Sequence, residues 1–133
     1  MIAMARKPLP NRRAGYRQKL SIGGQKFHLG TGEYPDGTLG EIFIDASRTG
    51  MFVRAMLHAF AISVSRGLQY GVPLEDYVES FKEFHFQPCG EVKGDSRIPE
   101  ADSILDLVFR ELELTYIKKE MPAQPVSEET ESN

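Results

Sequence analysis

The chain has 133 residues, enough for one domain with a modest core. Its hydrophobic fraction of 41% and charged fraction of 26% are typical of soluble globular proteins, and its one cysteine excludes an internal disulfide framework or a cysteine-rich zinc site. No apolar run reaches the roughly 18 residues that a membrane span needs, and the N-terminus lacks a signal-peptide core. We therefore expect a cytoplasmic protein without membrane contact.

The net charge of −3 conceals an asymmetry along the chain. Residues 1–28 contain seven lysines and arginines and no acid, whereas residues 29–117 contain 15 acids and seven lysines and arginines. This segregation predicts that the N-terminal segment meets an anion, which could be a nucleotide phosphate, a nucleic acid or the acidic body of a neighbouring subunit. The alternative is a solvated basic tail followed by one polar strand face.

Residues 1–14 are rich in proline and arginine and show no periodicity, which predicts an extended or flexible basic arm. Residues 16–22 and 25–29 then flank Gly23-Gly24, which predicts a β-hairpin with a two-residue turn. The turn pairs Lys19 with His28. One face of the hairpin is then apolar and the other polar and mostly basic, with Arg17, Lys19, Ser21, Lys26 and His28 on the polar face.

Residues 30–40 contain four glycines, which predicts a long loop that includes Thr31. Residues 41–45 follow as a short strand, with Ile42 and Ile44 on one face and Glu41, Phe43 and Asp45 on the other. A long helix is predicted over about residues 48–70. Because it is apolar nearly all round, we expect it to be buried on most sides.

Pro73 begins a second predicted helix, over residues 73–84. An irregular stretch with room for one short strand leads to a last helix, over about residues 99–118. Leu107 and Leu114 widen the apolar face of that helix, which indicates a second partner such as another subunit. The sequence thus predicts an α+β fold. A small antiparallel sheet, made of the hairpin and strand 41–45, packs on the long helix, and an acidic disordered tail follows at 119–133.

The sequence contains no convincing catalytic triad, metal-ligand spacing or nucleotide fingerprint. Arg54 and His58 lie one helical turn apart on an otherwise apolar helix. Such a pair requires either acidic partners, for which Glu41 or Asp45 are the candidates, or an anionic ligand.

Three ordered blocks of the sequence, residues 31–44, 60–75 and 103–112, resemble the C-terminal (TSCPD) domain of adenosylcobalamin-dependent, class II ribonucleotide reductases. The resemblance covers about residues 7–117 and implies one TSCPD-like domain over residues 15–118. In that family the catalytic barrel and its cysteines lie upstream of this domain. The resemblance therefore implies no catalytic residue, cofactor or metal for this chain, which could be a split-off subunit, an excised domain or a stand-alone relative.

Two functions remain open from the sequence. The first is a non-catalytic accessory or nucleotide-binding module, with a reductase catalytic subunit as a possible partner. The second is a phage-type oligomeric sponge, located in the host cytoplasm, that sequesters cyclic nucleotide immune signals without cleaving them. For either function we predict a homo-oligomer and an anion or nucleotide site, whereas nucleic acid is disfavoured because the body of the chain is acidic. The predicted site comprises Arg17, Lys19, Lys26, His28, Thr31, Arg54 and His58.

Overall fold

The computed structural model describes residues 5–121 and confirms the predicted α+β class. Five antiparallel strands form one sheet in the order β3-β2-β1-β4-β5. The strands are β1 (Arg17–Ile22), β2 (Gln25–Glu33), β3 (Leu39–Asp45), β4 (Gly90–Lys93) and β5 (Glu100–Ala101). The helices are α1 (Met51–Gln69), α2 (Leu74–Phe81) and α3 (Ile104–Leu112), and a π-helical turn (Glu113–Ile117) continues α3. Within the described residues no helix is long and apolar enough to cross a membrane.

The hairpin forms in the predicted register. Gly23 and Gly24 both have positive φ, +54° and +87°, as a tight two-residue turn requires. Lys19 therefore pairs with His28. The apolar face of the hairpin is fully buried, and the polar face stays accessible.

The predicted glycine-rich loop is largely strand, so this prediction was wrong. β2 continues to Glu33, and Thr31 pairs with Ile42 of β3. Only residues 34–38 form the connection, which is stabilised by the Asp36 carboxylate because it accepts hydrogen bonds from the backbone N–H and the hydroxyl of Thr38. Glycine suits these positions of β2 because neighbouring side chains approach the backbone closely and leave little room for a Cβ atom. For example, a Cβ atom at Gly32 would lie 2.2 Å from Glu41 Oε2.

The prediction that the first helix is buried on most sides was also wrong. α1 packs beside β3, and Ser65 and Gln69 hydrogen-bond to backbone groups on the outer edge of that strand. Only one side of α1 is buried. The rest of the helix surface leaves five large apolar side chains exposed, and these are Met51, Phe52, Val53, Met56 and Ile62.

The central buried helix is instead α3. Phe109 is fully buried and contacts aromatic rings from α1 and α2, with ring centroids 6.1 Å from Phe60 and 5.5 Å from Phe81. Leu107 is fully buried in the same core and Leu114 packs against it. The apolar width of this helix therefore serves the fold and does not indicate a second subunit.

The last helix begins five residues later than predicted, at Ile104. Residues 100–101 form β5, and Ser103 caps α3 by accepting a hydrogen bond from the backbone N–H of Asp106. The fully buried Asp106 carboxylate accepts hydrogen bonds from the backbone N–H groups of Glu83 and Asp102. It therefore stabilises the start of α3 and the residues that follow α2.

The predicted basic arm lies within the described residues only from Ala5 onward. That part is extended and is held against the domain by hydrogen bonds and an ion pair, so the prediction of a flexible arm was wrong for it. The Lys7 backbone N–H donates to Gln69, Tyr34 donates to the Lys7 carbonyl, and Arg13 pairs with Glu41 at 2.5 Å. Most of the predicted acidic tail, residues 122–133, lies outside the described residues.

Candidate functional site

The solvent-facing side of the sheet carries most of the predicted anion-binding residues, and we call it the outer sheet face. Its side chains form three rows across the strands, as the register dictates. The rows are Lys93–Ser21–Lys26, Lys19–His28–Asp45 and Arg17–Gly30–Phe43. The structure thus brings four predicted residues together on this face, namely Arg17, Lys19, Lys26 and His28.

Arg54 joins this face through Asp45. The guanidinium of Arg54 lies 3.7 Å from one carboxylate oxygen of Asp45, and that of Arg17 lies 4.0 Å from the other. The pairing of Arg54 with an acid is the structural alternative that the sequence left open. All three side chains are substantially exposed, so the contacts are weak.

His28 lies between Lys19 and Asp45 on this face. Partial burial lowers the pKa of His28 below its usual value, and the nearby Arg17 and Lys19 act in the same direction against the opposite effect of Asp45. The lowered pKa favours the neutral form of His28, so the positive charge of this face comes mainly from its lysines and arginines.

Two predicted residues do not join the cluster. Thr31 lies in β2, and its side chain is buried against the C-terminal helical turn. Its Oγ1 accepts a hydrogen bond from the backbone N–H of Tyr16 and lies 3.0 Å from the Tyr116 hydroxyl. His58 is exposed on α1, and among residues 5–121 no hydrogen bond or ion pair links it to the hairpin. The structure therefore gives no support to these two as parts of one site.

Two residues of the outer sheet face were missed from the sequence. Phe43 was placed on the polar face of its strand without a role, and an aromatic ring between Glu41 and Asp45 was the available signal. Lys93 lies in β4, whose pairing with β1 joins Ser21 to Lys93 and Ile22 to Val92, residues far apart in the chain. No local pattern indicates such a contact.

A buried polar network between the sheet and α3 was also missed. The Glu111 carboxylate is 1% exposed and accepts hydrogen bonds from the Tyr16 hydroxyl at 2.6 Å and the Thr115 hydroxyl at 2.8 Å. Arg97 lies 3.1 Å from the same carboxylate and 2.6 Å from Asp95. Burial raises the pKa of Glu111, and it also raises that of Tyr16. Every partner in this network is satisfied, so its role is structural.

A groove of about 800 Å³ lies between the β2–β3 turn, the α1–α2 connection and the residues after α3. Its walls include Lys7, Tyr34, Val72 and Tyr116, and its charges are mixed. Two of the sequence blocks that carry the resemblance, 31–44 and 60–75, meet here. None of the seven predicted site residues lines the groove.

Residues 5–121 contain no group of three or more histidine, cysteine, aspartate or glutamate side chains that could hold a metal ion. The outer sheet face offers cations and an exposed ring. Such groups can contact the phosphates and the base of a nucleotide.

Comparison with known proteins gives a consistent result. The TSCPD domain family matches residues 4–116 of this chain. The chain is 54% identical over 116 residues to a vitamin B12-dependent ribonucleotide reductase of Agrobacterium fabrum, a match that covers 87% of this chain and 9% of the relative. For the reductases of Bradyrhizobium diazoefficiens and Streptantibioticus cattleyicolor the identities are 50% and 42%, over 90% and 84% of this chain and 10% and 18% of the relatives. No solved structure matches.

The chain thus spans between about a tenth and a fifth of the length of these relatives. The match covers the whole sheet and all three helices described above, which makes it a match of the complete fold. This chain belongs to the TSCPD domain family and resembles the corresponding domain of vitamin B12-dependent ribonucleotide reductases.

Proposed function

We propose that this chain is a non-catalytic accessory domain that docks onto the larger part of a vitamin B12-dependent ribonucleotide reductase. The observation that carries the proposal is the exposed side of α1. Met51 and Phe52 are 89% and 76% exposed. Met56, one helical turn from Phe52, is 54% exposed, and Val53 and Ile62 are exposed on the two flanks of the helix. Soluble proteins rarely expose several large apolar side chains on one helix, and those that do commonly use them for binding.

The charges on α1 define the chemistry of the partner surface. The helix carries Arg54, His58 and Arg66 and no acidic residue. A complementary surface would be an apolar groove with carboxylates at its rim. Each relative named above contains at least four-fifths of its length beyond the matched part, and that remainder is the partner surface we propose.

The non-catalytic part of the proposal rests on two features. The titratable groups buried most deeply, Glu111 and Asp106, are fully engaged in structural hydrogen bonds. No histidine lines the groove of about 800 Å³. In this proposal the chain holds the partner enzyme in position and carries out no chemical step itself.

The test is complex formation with the Agrobacterium fabrum reductase from which the matching 116 residues have been deleted. We expect this chain to bind the truncated enzyme in size-exclusion chromatography with light scattering. Substituting Phe52→Ser together with Met56→Ser should weaken binding about tenfold or more, because these side chains would lie at the centre of the contact.

Two controls make the test decisive. The deleted segment of the Agrobacterium enzyme, added as a separate chain, serves as the reference. Phe43→Ser removes an exposed ring from the outer sheet face and should leave the complex intact. Absence of a complex with either chain, or equal binding by the α1 double variant, would contradict docking through α1.

A second candidate function is an oligomeric sponge that sequesters cyclic nucleotides. The observation that favours it is the basic outer sheet face, where Lys19, Lys26 and Lys93 have no ion-pair partner among residues 5–121. A sponge requires only cations and donors around the phosphates. The exposed α1 surface would then serve contacts between copies.

Native mass spectrometry of the protein purified from cells separates the two candidates, because it gives oligomeric state and any retained nucleotide mass together. A sponge predicts an oligomer that releases an intact cyclic nucleotide on denaturation. An accessory domain predicts a chain without retained nucleotide that binds the truncated reductase. The neighbouring genes provide a further check, since a truncated reductase gene supports the accessory role and a phage early region supports the sponge.

A further inference from the structure

Phe43 lies on the outer sheet face with its ring open to solvent. The side chain is 49% exposed although it lies in the middle of β3. Its ring leans over Gly30 on the neighbouring strand, where a Cβ atom would lie 3.4 Å from Phe43 Cδ2. Because Gly30 has no side chain, no side chain from that position covers the ring of Phe43.

Lysines follow in the next two rows of the same face. Lys19 lies one row from Phe43, and Lys26 lies two rows away. Neither forms an ion pair with any residue of the described range 5–121. An exposed aromatic ring beside unpaired lysines on an open sheet is an arrangement that suits base stacking together with phosphate binding.

We propose that the outer sheet face binds a mononucleotide carrying two or three phosphates, with its base stacked on Phe43 and its phosphates on Lys19 and Lys26. This inference does not depend on docking through α1, because Phe43, Lys19 and Lys26 all lie outside α1, and Arg54 alone touches both surfaces through Asp45. It applies to the accessory domain and to the sponge alike, since both could contact a nucleotide.

The dimensions of the sheet support this assignment. Strands lie about 4.8 Å apart and rise about 3.3 Å per residue, so the backbone positions of Phe43 and Lys19 are roughly 12 Å apart. A nucleoside di- or triphosphate extends over such a span, and a flexible lysine side chain adds further reach. A single phosphate without a base would contact only one end of the site.

Asp45 is the one carboxylate inside this span. It lies in the same row as Lys19 and His28, and Arg17 and Arg54 partly neutralise it. A carboxylate two residues from the ring on the same strand can accept hydrogen bonds from the ribose hydroxyl groups of a base-stacked nucleotide. We therefore place the sugar, and not a phosphate, beside Asp45.

The chain has no tryptophan, which provides a direct optical test. In the Phe43→Trp variant the only indole lies at the proposed stacking position. We expect ATP to quench its fluorescence in a saturable manner. Tripolyphosphate, which has no base, and adenosine, which has no phosphate, should each bind about fivefold or more weakly than ATP. Lys19→Ala and Lys26→Ala in this background should weaken ATP binding and make the remaining binding less sensitive to salt.

Calorimetry on the unlabelled chain completes the test. Phe43→Ala should weaken ATP binding about fivefold or more, whereas Phe84→Ala, which removes a ring that is also 49% exposed but lies elsewhere, should leave it unchanged. Equal binding of ATP and tripolyphosphate would overturn the proposal. So would equal losses from Phe43→Ala and Phe84→Ala, the absence of ATP binding, or binding of oligonucleotides only. Each of these results leaves docking through α1 unaffected.

Discussion

The hydroxyl of Ser65 lies 2.9 Å from the backbone nitrogen of Ile42 and 3.2 Å from its carbonyl oxygen. A side chain of α1 thus takes the place that a further strand would occupy beside β3. Gln69 repeats the arrangement one turn later by donating to the Gly40 carbonyl at 3.0 Å. The outer edge of the sheet is therefore closed by a helix, which protects it from pairing with other chains.

We expect Ser65→Ala to destabilise the domain by about 1–3 kcal/mol, because it leaves the buried Ile42 N–H without an acceptor. The matched control is Ser63→Ala, which alters an exposed serine on the same helix and should change stability by less than about 0.5 kcal/mol. Urea unfolding followed by circular dichroism measures both. Equal effects of the two substitutions would show that the edge contact contributes nothing.

The two faces of the helical layer should respond very differently to loss of a phenylalanine. Phe109→Ala should cost about 3–5 kcal/mol, because the ring is fully buried among Phe60, Tyr77 and Phe81. Phe52→Ala should change the free energy of unfolding by less than about 0.5 kcal/mol. A large cost for Phe52→Ala would mean that the outer side of α1 is covered, either by this chain or by a second copy, and the protein concentration dependence of unfolding would distinguish these cases.

Gly94 should tolerate substitution much less well than Gly24. Both have positive φ, +103° and +87°, which costs a residue with a Cβ atom about 1–2 kcal/mol. At Gly94 a Cβ atom would also lie 2.3 Å from the carbonyl oxygen of Lys19, whereas at Gly24 no atom lies within 4 Å. We therefore expect Gly94→Ala to unfold at a clearly lower urea concentration than Gly24→Ala. Equal urea midpoints for the two variants would contradict a close contact between Gly94 and β1.

The Arg97 network should give the domain two opposite pH dependences. Burial alone would raise the pKa of Asp95, but the hydrogen bonds from Arg97 and Gln18 outweigh it and hold that pKa below 3.8. Asp95 therefore stabilises the fold above pH 3.8, and this contribution is lost as the pH falls through its folded pKa. The stability difference between the wild-type chain and Asp95→Asn should shrink as the pH is lowered below 3.8.

Glu111 should behave in the opposite way. Burial raises its pKa above 4.5, although hydrogen bonds from Tyr16 and Thr115 oppose the shift. Its contribution to stability is fully present below pH 4.5 and is lost as the pH rises through the folded pKa. The stability difference between the wild-type chain and Glu111→Gln should therefore decrease from pH 4 to pH 7, as measured by urea unfolding at each pH. A difference that grows over this range would contradict the assignment.

Some of these features were accessible from the sequence because they depend on near neighbours. Gly23-Gly24 fixes the turn, and the turn fixes which residues oppose each other, so the basic and apolar faces of the hairpin were predicted correctly. The three family blocks likewise identified the domain. The length of β2 was not accessible, since glycines at 30 and 32 resemble a loop until β3 is known to lie beside them.

The sequence by itself determined the fold class, the family and the segregation of charge, because turn chemistry and alternation of side chains act over a few residues. Only the tertiary structure decided which helix is buried. α1 and α3 are both rich in apolar residues, and α3 occupies the core because Phe109 meets rings from two other helices, while α1 is held at the sheet edge by Ser65 and Gln69. That choice depends on contacts between residues far apart in the chain. It leaves the apolar side of α1 and the ring of Phe43 on the surface, where they form the two candidate binding surfaces.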